Sequence, residues 1–180
     1  YWGWMHGMPH AVKDLADVRG FLSTSGSPLL AKNIATKDSL AIERIRHAGA
    51  IFIGKTNTPE FGLGSQTYNT VFGTTRNAYN PSLCAGGSSG GAAVGLAAQL
   101  LPVADGSDMM GSLRNPAAFN NVIGFRPTKG RVPGADENSK LFFDQLATGG
   151  PMGRDVTDTI KLLTTMAGFD ARAPLSLQDT

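Results

Sequence analysis

Apolar residues recur at helical spacing in two stretches of the chain and in near-continuous runs elsewhere. In "KDSLAIERIRHAGA", Leu40, Ile42, Ile45 and Ala48 approximate one face, which predicts a helix with Asp38 or Ser39 at its start. In "RDVTDTIKLLTTMAG", Val156, Ile160, Leu163 and Ala167 predict a second helix, with Asp155 placed to cap it. "SGGAAVGLAAQLLP" is small and apolar nearly all round, the pattern of a helix buried close against its neighbours and ended by Pro102. "AIFIGK" and "PVADGSD" read as short strands, the first of them buried, and "SLRNPAAF" as a short helical turn. "PHAVKDLADVRG" alternates loosely, so an extended backbone puts Ala11, Lys13 and Leu15 on one face. Between Lys55 and Ala85 the Gly, Pro, Asn and Thr content predicts a long loop region, of the kind that often carries function. Helices alternating with short strands predict an α/β fold, a mixed β-sheet core sandwiched by helices, in one domain.

Composition narrows the classes. With 180 residues, 41% hydrophobic and 17% charged, the chain can bury a core. A net charge of +2 without a Lys/Arg run gives no reason to expect nucleic acid. No apolar run approaches the roughly 20 residues of a membrane span, so no membrane partner is expected. The single cysteine, Cys84, allows no internal disulfide, and a reducing, cytoplasmic setting is the expectation. The start "YWGWMHGMPH" resembles neither an initiator nor a signal peptide, and reads as the edge of a piece of something longer. His6 and His10 lie four apart, but Gly7 and Pro9 spoil a helical metal pair, so no metal is expected there and both are read as inert.

The chemistry centres on "CAGGSSGGA", residues 84–92. A flexible linker does not run straight into an apolar helix, as this segment does. A phosphate cradle would put Lys and then Ser/Thr after the glycines, where Ala92 and Ala93 stand. Gly86 to Gly90 satisfies G-x-S-x-G, but a nucleophile elbow needs a preceding strand and a later histidine. All three histidines, His6, His10 and His47, precede Ser88. A serine nucleophile without histidine requires another base, commonly lysine, yet no Ser-x-x-Lys occurs. Lys13 is the candidate, since an ammonium turned toward apolar neighbours loses its proton more easily.

Five blocks then follow one another in the order seen in the amidase signature family: "GMPHAVKD", "GGSSGGAA", "GSDMMGSLRNPA", "GFRPTKGRVP" and "GPMGRDVTD". The chain resembles that family over nearly its whole length. The resemblance implies a Ser-Ser-Lys triad hydrolysing amides through an acyl-enzyme, with Lys13 as base, Ser88 as the bridging serine on a cis peptide, and Ser112 as nucleophile. The 24 residues from Ser88 to Ser112 match the family spacing and point to Ser88 rather than Ser89 as the bridge. The turn "DMMGS" can bring backbone N–H groups of Met109, Met110 and Gly111 toward one point, forming an oxyanion hole. Ser89 is expected to support the relay, or simply to start the helix, and Asp108 and Arg114 to brace the turn as a pair.

Met110 stands where the family usually has glycine. It argues mildly against the aminoacyl-tRNA amidotransferase branch and for a stand-alone amidase of small amides. The expected partner is therefore a small-molecule amide substrate, with no cofactor; a homodimer is left open. A non-catalytic relative and an amidotransferase subunit remain the alternatives. Family members run to several hundred residues, so the chain is expected to hold the N-terminal and central portion of one such domain, with the fold incomplete.

Overall fold

The computed structural model describes residues 3–134 and 146–178. In chain order the elements are β1 (Pro9–Lys13), α1 (Leu40–His47), β2 (Ile51–Thr56), β3 (Tyr68–Asn69), β4 (Gly73–Thr74), α2 (Gly90–Ala97), β5 (Val103–Asp108), α3 (Arg114–Phe119), β6 (Ile123–Gly124), β7 (Thr148–Gly153) and α4 (Val156–Met166). β1 and β2 pair in parallel, β3 and β4 form a small hairpin, and β7 lies antiparallel between β5 and β6.

Helices pack on both sides of β1 and β5, the mixed α/β arrangement that alternating elements predict. On one face Val12 and Val103 meet Ile42 and Ile45 of α1 and Leu162 and Met166 of α4. On the other, Ala11, Ala104 and Met152 meet Ala92, Ala93 and Leu96 of α2 and Ala117 of α3. The small residues of α2 allow close approach: a Cβ at Gly91 would lie 2.3 Å from the Asn57 backbone nitrogen. Lys13 ends β1 between the two clusters and is 1% exposed, whereas Leu15, expected on its face, is 38% exposed because β1 has already ended.

Four local expectations change. α2 ends at Ala97, not at Pro102; Gln99 turns into the left-handed region at φ 60 and Leu100 and Leu101 both donate back to the Gly95 carbonyl. α4 is capped by Asp155, whose side chain accepts the Asp158 N–H, but it buries Thr159, Leu162 and Met166 rather than the predicted stripe. Val156 and Ile160 are exposed, because the helix docks on the neighbouring face, one position round. β2 is not buried on both sides: Ile51 and Ile53 are more than half exposed, while Thr56 at its end is buried. At α1, Ser39 holds the capping position without capping; its hydroxyl accepts the Asp17 N–H, and Asp38 instead grips Arg19 N and the Arg46 guanidinium.

The long loop region does have a structural task. Thr67 donates its hydroxyl to the Gly86 carbonyl and accepts the Gly90 N–H, clamping the serine loop from outside. The docking of α4 makes a direct prediction: Leu162→Ala should cost about 2–4 kcal/mol in urea unfolding, and Ile160→Ala no more than about 0.5 kcal/mol. Equal losses at both positions would contradict this face.

Candidate active site

Lys13 lies at the centre of a hydroxyl cluster. Its Nζ donates to Ser88 Oγ at 2.7 Å, to Ser89 Oγ at 2.8 Å and to Ser107 Oγ at 3.0 Å. Burial pushes the ammonium down to about 7, with the negative charges of Asp105 and Asp108 pulling the other way. A lysine in this state exchanges its proton near neutral pH, and once neutral it has a lone pair that one of these hydroxyls can fill.

The serine loop is held to match. The Gly87–Ser88 peptide is cis. A Cβ at Gly87 would lie 2.9 Å from the Gln66 nitrogen, so the loop at 65–66 packs directly on this glycine. Ser88 and Ser89 are both buried. Ser89 occupies the first flanking position of α2 without capping it; its hydroxyl instead touches the backbone of Ser107 as well as Lys13. Ser89 thus stands at the start of α2, as one expectation had it, with its side chain directed to Lys13 and Ser107.

The segment between β5 and α3 carries Ser112. Its carbonyl accepts the Ser89 N–H at 3.2 Å, which ties the two serine segments together. The Ser112 side chain is half-buried and, among the described residues, makes no hydrogen bond with Ser88. Asp108, fully buried, organises this turn. Its carboxylate accepts the N–H groups of Gly111 at 2.8 Å and Leu113 at 3.1 Å, and pairs with Arg114 Nε at 3.0 Å and with Arg126 Nη1 at 2.7 Å. Arg126 also donates to the Asp108 carbonyl. Burial alone would raise the Asp108 carboxyl, but hydrogen bonds from Arg114, Gly111, Leu113 and Arg126 hold it far below the usual carboxylate range.

This changes the expected oxyanion hole. Gly111, at φ 118, is the turn residue that allows the geometry, but its N–H already belongs to Asp108. Among the described residues, the N–H groups of Met109, Met110 and Ser112 donate to no protein acceptor. Met109 and Met110 expose their side chains, Met110 to 83%, so they form an apolar lip at the turn.

Three participants escaped the sequence reading. Ser107 was visible inside "DGSD" but had no spacing to mark it. Arg126 lay in "GFRPTKGRVP" without an assigned partner. His10, read as inert, is fully buried and bonds Asp105 Oδ1 through Nε2 at 3.0 Å. Among the described residues no group of three His, Cys, Asp or Glu could hold a metal ion. Cys84 is exposed and free, and no described helix is long and apolar enough to cross a membrane. A cavity of about 280 Å³ runs from Lys13 and Ser107 to Leu40, Val132 and Met166, but Ser112 is not among its walls.

Known proteins share this arrangement of elements. The Amidase family model matches residues 2–179. The chain is 42% identical over 172 residues to a glutamyl-tRNA(Gln) amidotransferase subunit of Ralstonia pickettii, covering 96% of this chain and 34% of that protein. It superposes with a TM-score of 0.93 on a bacterial aryl acylamidase of the amidase signature family, at 38% identity over 99% of this chain and 37% of the other. On the corresponding glutamyl-tRNA(Gln) amidotransferase subunit of Thermotoga maritima the TM-score is 0.89, at 31% identity over 99% of this chain and 39% of that one. The chain thus spans little more than a third of the length of these relatives. The weight given to Met110 against the amidotransferase branch finds no support in them, since both branches are represented.

Lys13 also couples the site to stability. Its proton affinity is lower in the folded chain than in the unfolded one, so between pH 7 and about 10 the unfolded state binds more protons and folding strengthens as pH rises. In denaturant titrations at several pH values, Lys13 should contribute a slope of up to about 1.4 kcal/mol per pH unit across that window. Lys13→Met should remove it. An unchanged slope in the variant would mean that Lys13 is charged in the folded protein.

Proposed function

The chain belongs to the amidase signature family, and from that membership we propose that it carries the catalytic relay of an amide hydrolase acting on small carboxamides. The observation that carries this reading is the buried Lys13 Nζ at 2.7 Å from Ser88 Oγ, with its proton loosened to about 7. Neutral Lys13 takes the Ser88 proton while Ser88 takes that of Ser112, and the Ser112 oxygen attacks the amide carbonyl carbon. The carbonyl oxygen becomes an oxyanion, for which the N–H groups of Met109, Met110 and Ser112 are the available donors. Collapse breaks the C–N bond. The leaving amine takes the proton from Ser88, which recovers one from Lys13, and an ester on Ser112 remains. Water cleaves that ester over the same relay and returns the proton to Ser112. The Ser88 to Ser112 step requires a closer approach than the described geometry gives, and catalytic hydrogen bonds commonly tighten when substrate binds.

Asp108 acts on the reaction through the backbone. By taking the Gly111 and Leu113 amides it leaves those of Met109, Met110 and Ser112, among the described residues, without a protein acceptor, and Arg114 and Arg126 pair with it. The apolar lip of Met109 and Met110 suits substrates with an apolar or aromatic group beside the scissile amide.

The relatives from Ralstonia and Thermotoga favour a second reading, in which the same relay serves an amidotransferase subunit. The two separate on one assay of the full-length protein. A hydrolase cleaves free aryl or alkyl carboxamides alone; an amidotransferase subunit depends on partner subunits and aminoacyl-tRNA.

On the hydrolase reading, Ser112→Ala should lower kcat by at least about 10³-fold, since nucleophile and relay act as a unit. Ser88→Ala should cost about as much, and Ser89→Ala distinctly less. The acid limb of kcat/KM should fall near pH 7, because the reaction needs Lys13 without its proton. Full activity in Ser112→Ala would end the proposal.

A further inference from the structure

β1 and β5 lie side by side but belong to different sheets. What joins them here is a side chain: the Lys13 backbone N–H points at both carboxylate oxygens of Asp105, at 3.3 and 3.2 Å, where a paired strand would offer a carbonyl. The same carboxylate receives His10 Nε2 at 3.0 Å. His10 is 0% and Asp105 3% exposed, so both are fixed in a dry setting beside the base of the relay. The β1–β2 pairing shifts register at this point, passing from His10 opposite Phe52 to Ala11 opposite Gly54, with Ile53 of β2 left without a partner on β1.

We propose that His10 and Asp105 are positioning residues of the relay: Asp105 supplies the counter-charge that sets how readily Lys13 gives up its proton, and His10 holds Asp105 in register with Lys13. The inference rests on Lys13 being the base.

The surroundings favour this assignment. Among the described residues, the charged groups around Lys13 are Asp105 and Asp108 from β5, the adjacent Asp14, already paired with Lys55 of β2 at 3.1 Å, and Lys129 across the cavity. Asp108 is engaged by two guanidinium groups, and Asp14 by Lys55 and by the Thr24 and Gly26 amides. Among the described residues Asp105 has hydrogen bonds only with His10 and the Lys13 segment itself. α1 and α4 present Leu40, Ile42 and Met166 to the cavity beside Lys13, and no charge. On its other side the His10 ring meets the edge of Phe52 at 6.0 Å, and the Arg46 guanidinium lies over Phe52 at 4.6 Å. Among the described residues His10 Nδ1 has no hydrogen-bond partner, which is consistent with a ring placed for the Nε2 bond alone. Of the charges acting on Lys13, Asp105 raises its proton affinity most.

The experiment is an NMR titration of Lys13 with carbon-labelled lysine in the full-length protein, alongside pH profiles of amide hydrolysis. Asp105→Asn keeps the shape and an acceptor but removes the charge. It should move the Lys13 midpoint down by about half to one pH unit, a roughly three- to tenfold loss of proton affinity, and carry the acid limb of kcat/KM with it. His10→Leu should shift the midpoint the same way without touching β5, and His10→Gln, which places an N–H near the position of Nε2, should restore it. A folded Asp105→Asn protein with an unmoved midpoint overturns the proposal, as does His10→Leu indistinguishable from wild type. Midpoints that move in a protein without amidase activity support the electrostatic assignment and count against the hydrolase reading instead.

Discussion

An ammonium group with almost no access to water is the constraint from which the rest of this site follows. Burying a charged lysine without compensation costs several kcal/mol, and a protein limits that cost by supplying polar partners, by supplying a counter-charge or by letting the proton go. Lys13 draws on all three. Ser88, Ser89 and Ser107 take its donors, Asp105 and Asp108 act from β5, and the proton is loosened to about 7. The position is made possible by the point where β1 stops. Ala11 and Val12 enter opposite clusters, and Lys13 follows them into the seam before the chain turns outward at Leu15.

Around that lysine, several backbone groups are satisfied by side chains and not by a neighbouring strand. Asp105 serves the amide of Lys13, Asp108 those of Gly111 and Leu113, Thr67 the amide of Gly90 and the carbonyl of Gly86. Each is a buried polar side chain that satisfies a backbone group. Such loops keep defined shapes without a hydrogen-bond ladder, and they leave selected amides unclaimed. At the turn around Ser112, Asp108 decides which ones: Gly111 and Leu113 are engaged, while among the described residues Met109, Met110 and Ser112 have no acceptor. A glycine with φ 118 and a carboxylate gripped by two arginines therefore act as one device.

Much of this was legible in the sequence. Helical spacing located α1 and α4, the small-residue run located α2, and ordered blocks brought Lys13, Ser88 and Ser112 into consideration. The Lys13–Ser88 contact followed from that alone. The errors have a common cause, namely that periodicity reports which residues are apolar and not which neighbour arrives. Ile160 and Leu162 are equally apolar, yet only Leu162 faces a packing partner; Ile51 and Ile53 sit in an apolar run on a surface that no described residue covers. His10 and Asp105 are separated by 95 positions, and neither lies in a pattern that marks the pair. Arg126 was likewise invisible as a partner of Asp108, because an ion pair across the fold has no local signature.

With the proposed relay, a hydrolase and an amidotransferase subunit would use the described site alike. In the proposed mechanism both would form the same ester on Ser112 with the same lysine, serines and oxyanion donors. They differ in what removes the acyl group's former amine and in what surrounds the amide while it reacts. Those determinants have to lie where the substrate's remote groups sit, and the cavity beside Lys13 does not reach Ser112. In that mechanism the exposed pair Met109 and Met110 would meet the substrate from the nucleophile's side. Two flexible thioethers adapt to an apolar surface more readily than they discriminate among polar ones. In the proposed mechanism the apolar lip therefore bears on which side of the amide is held dry, and not on what accepts the acyl group or the amine.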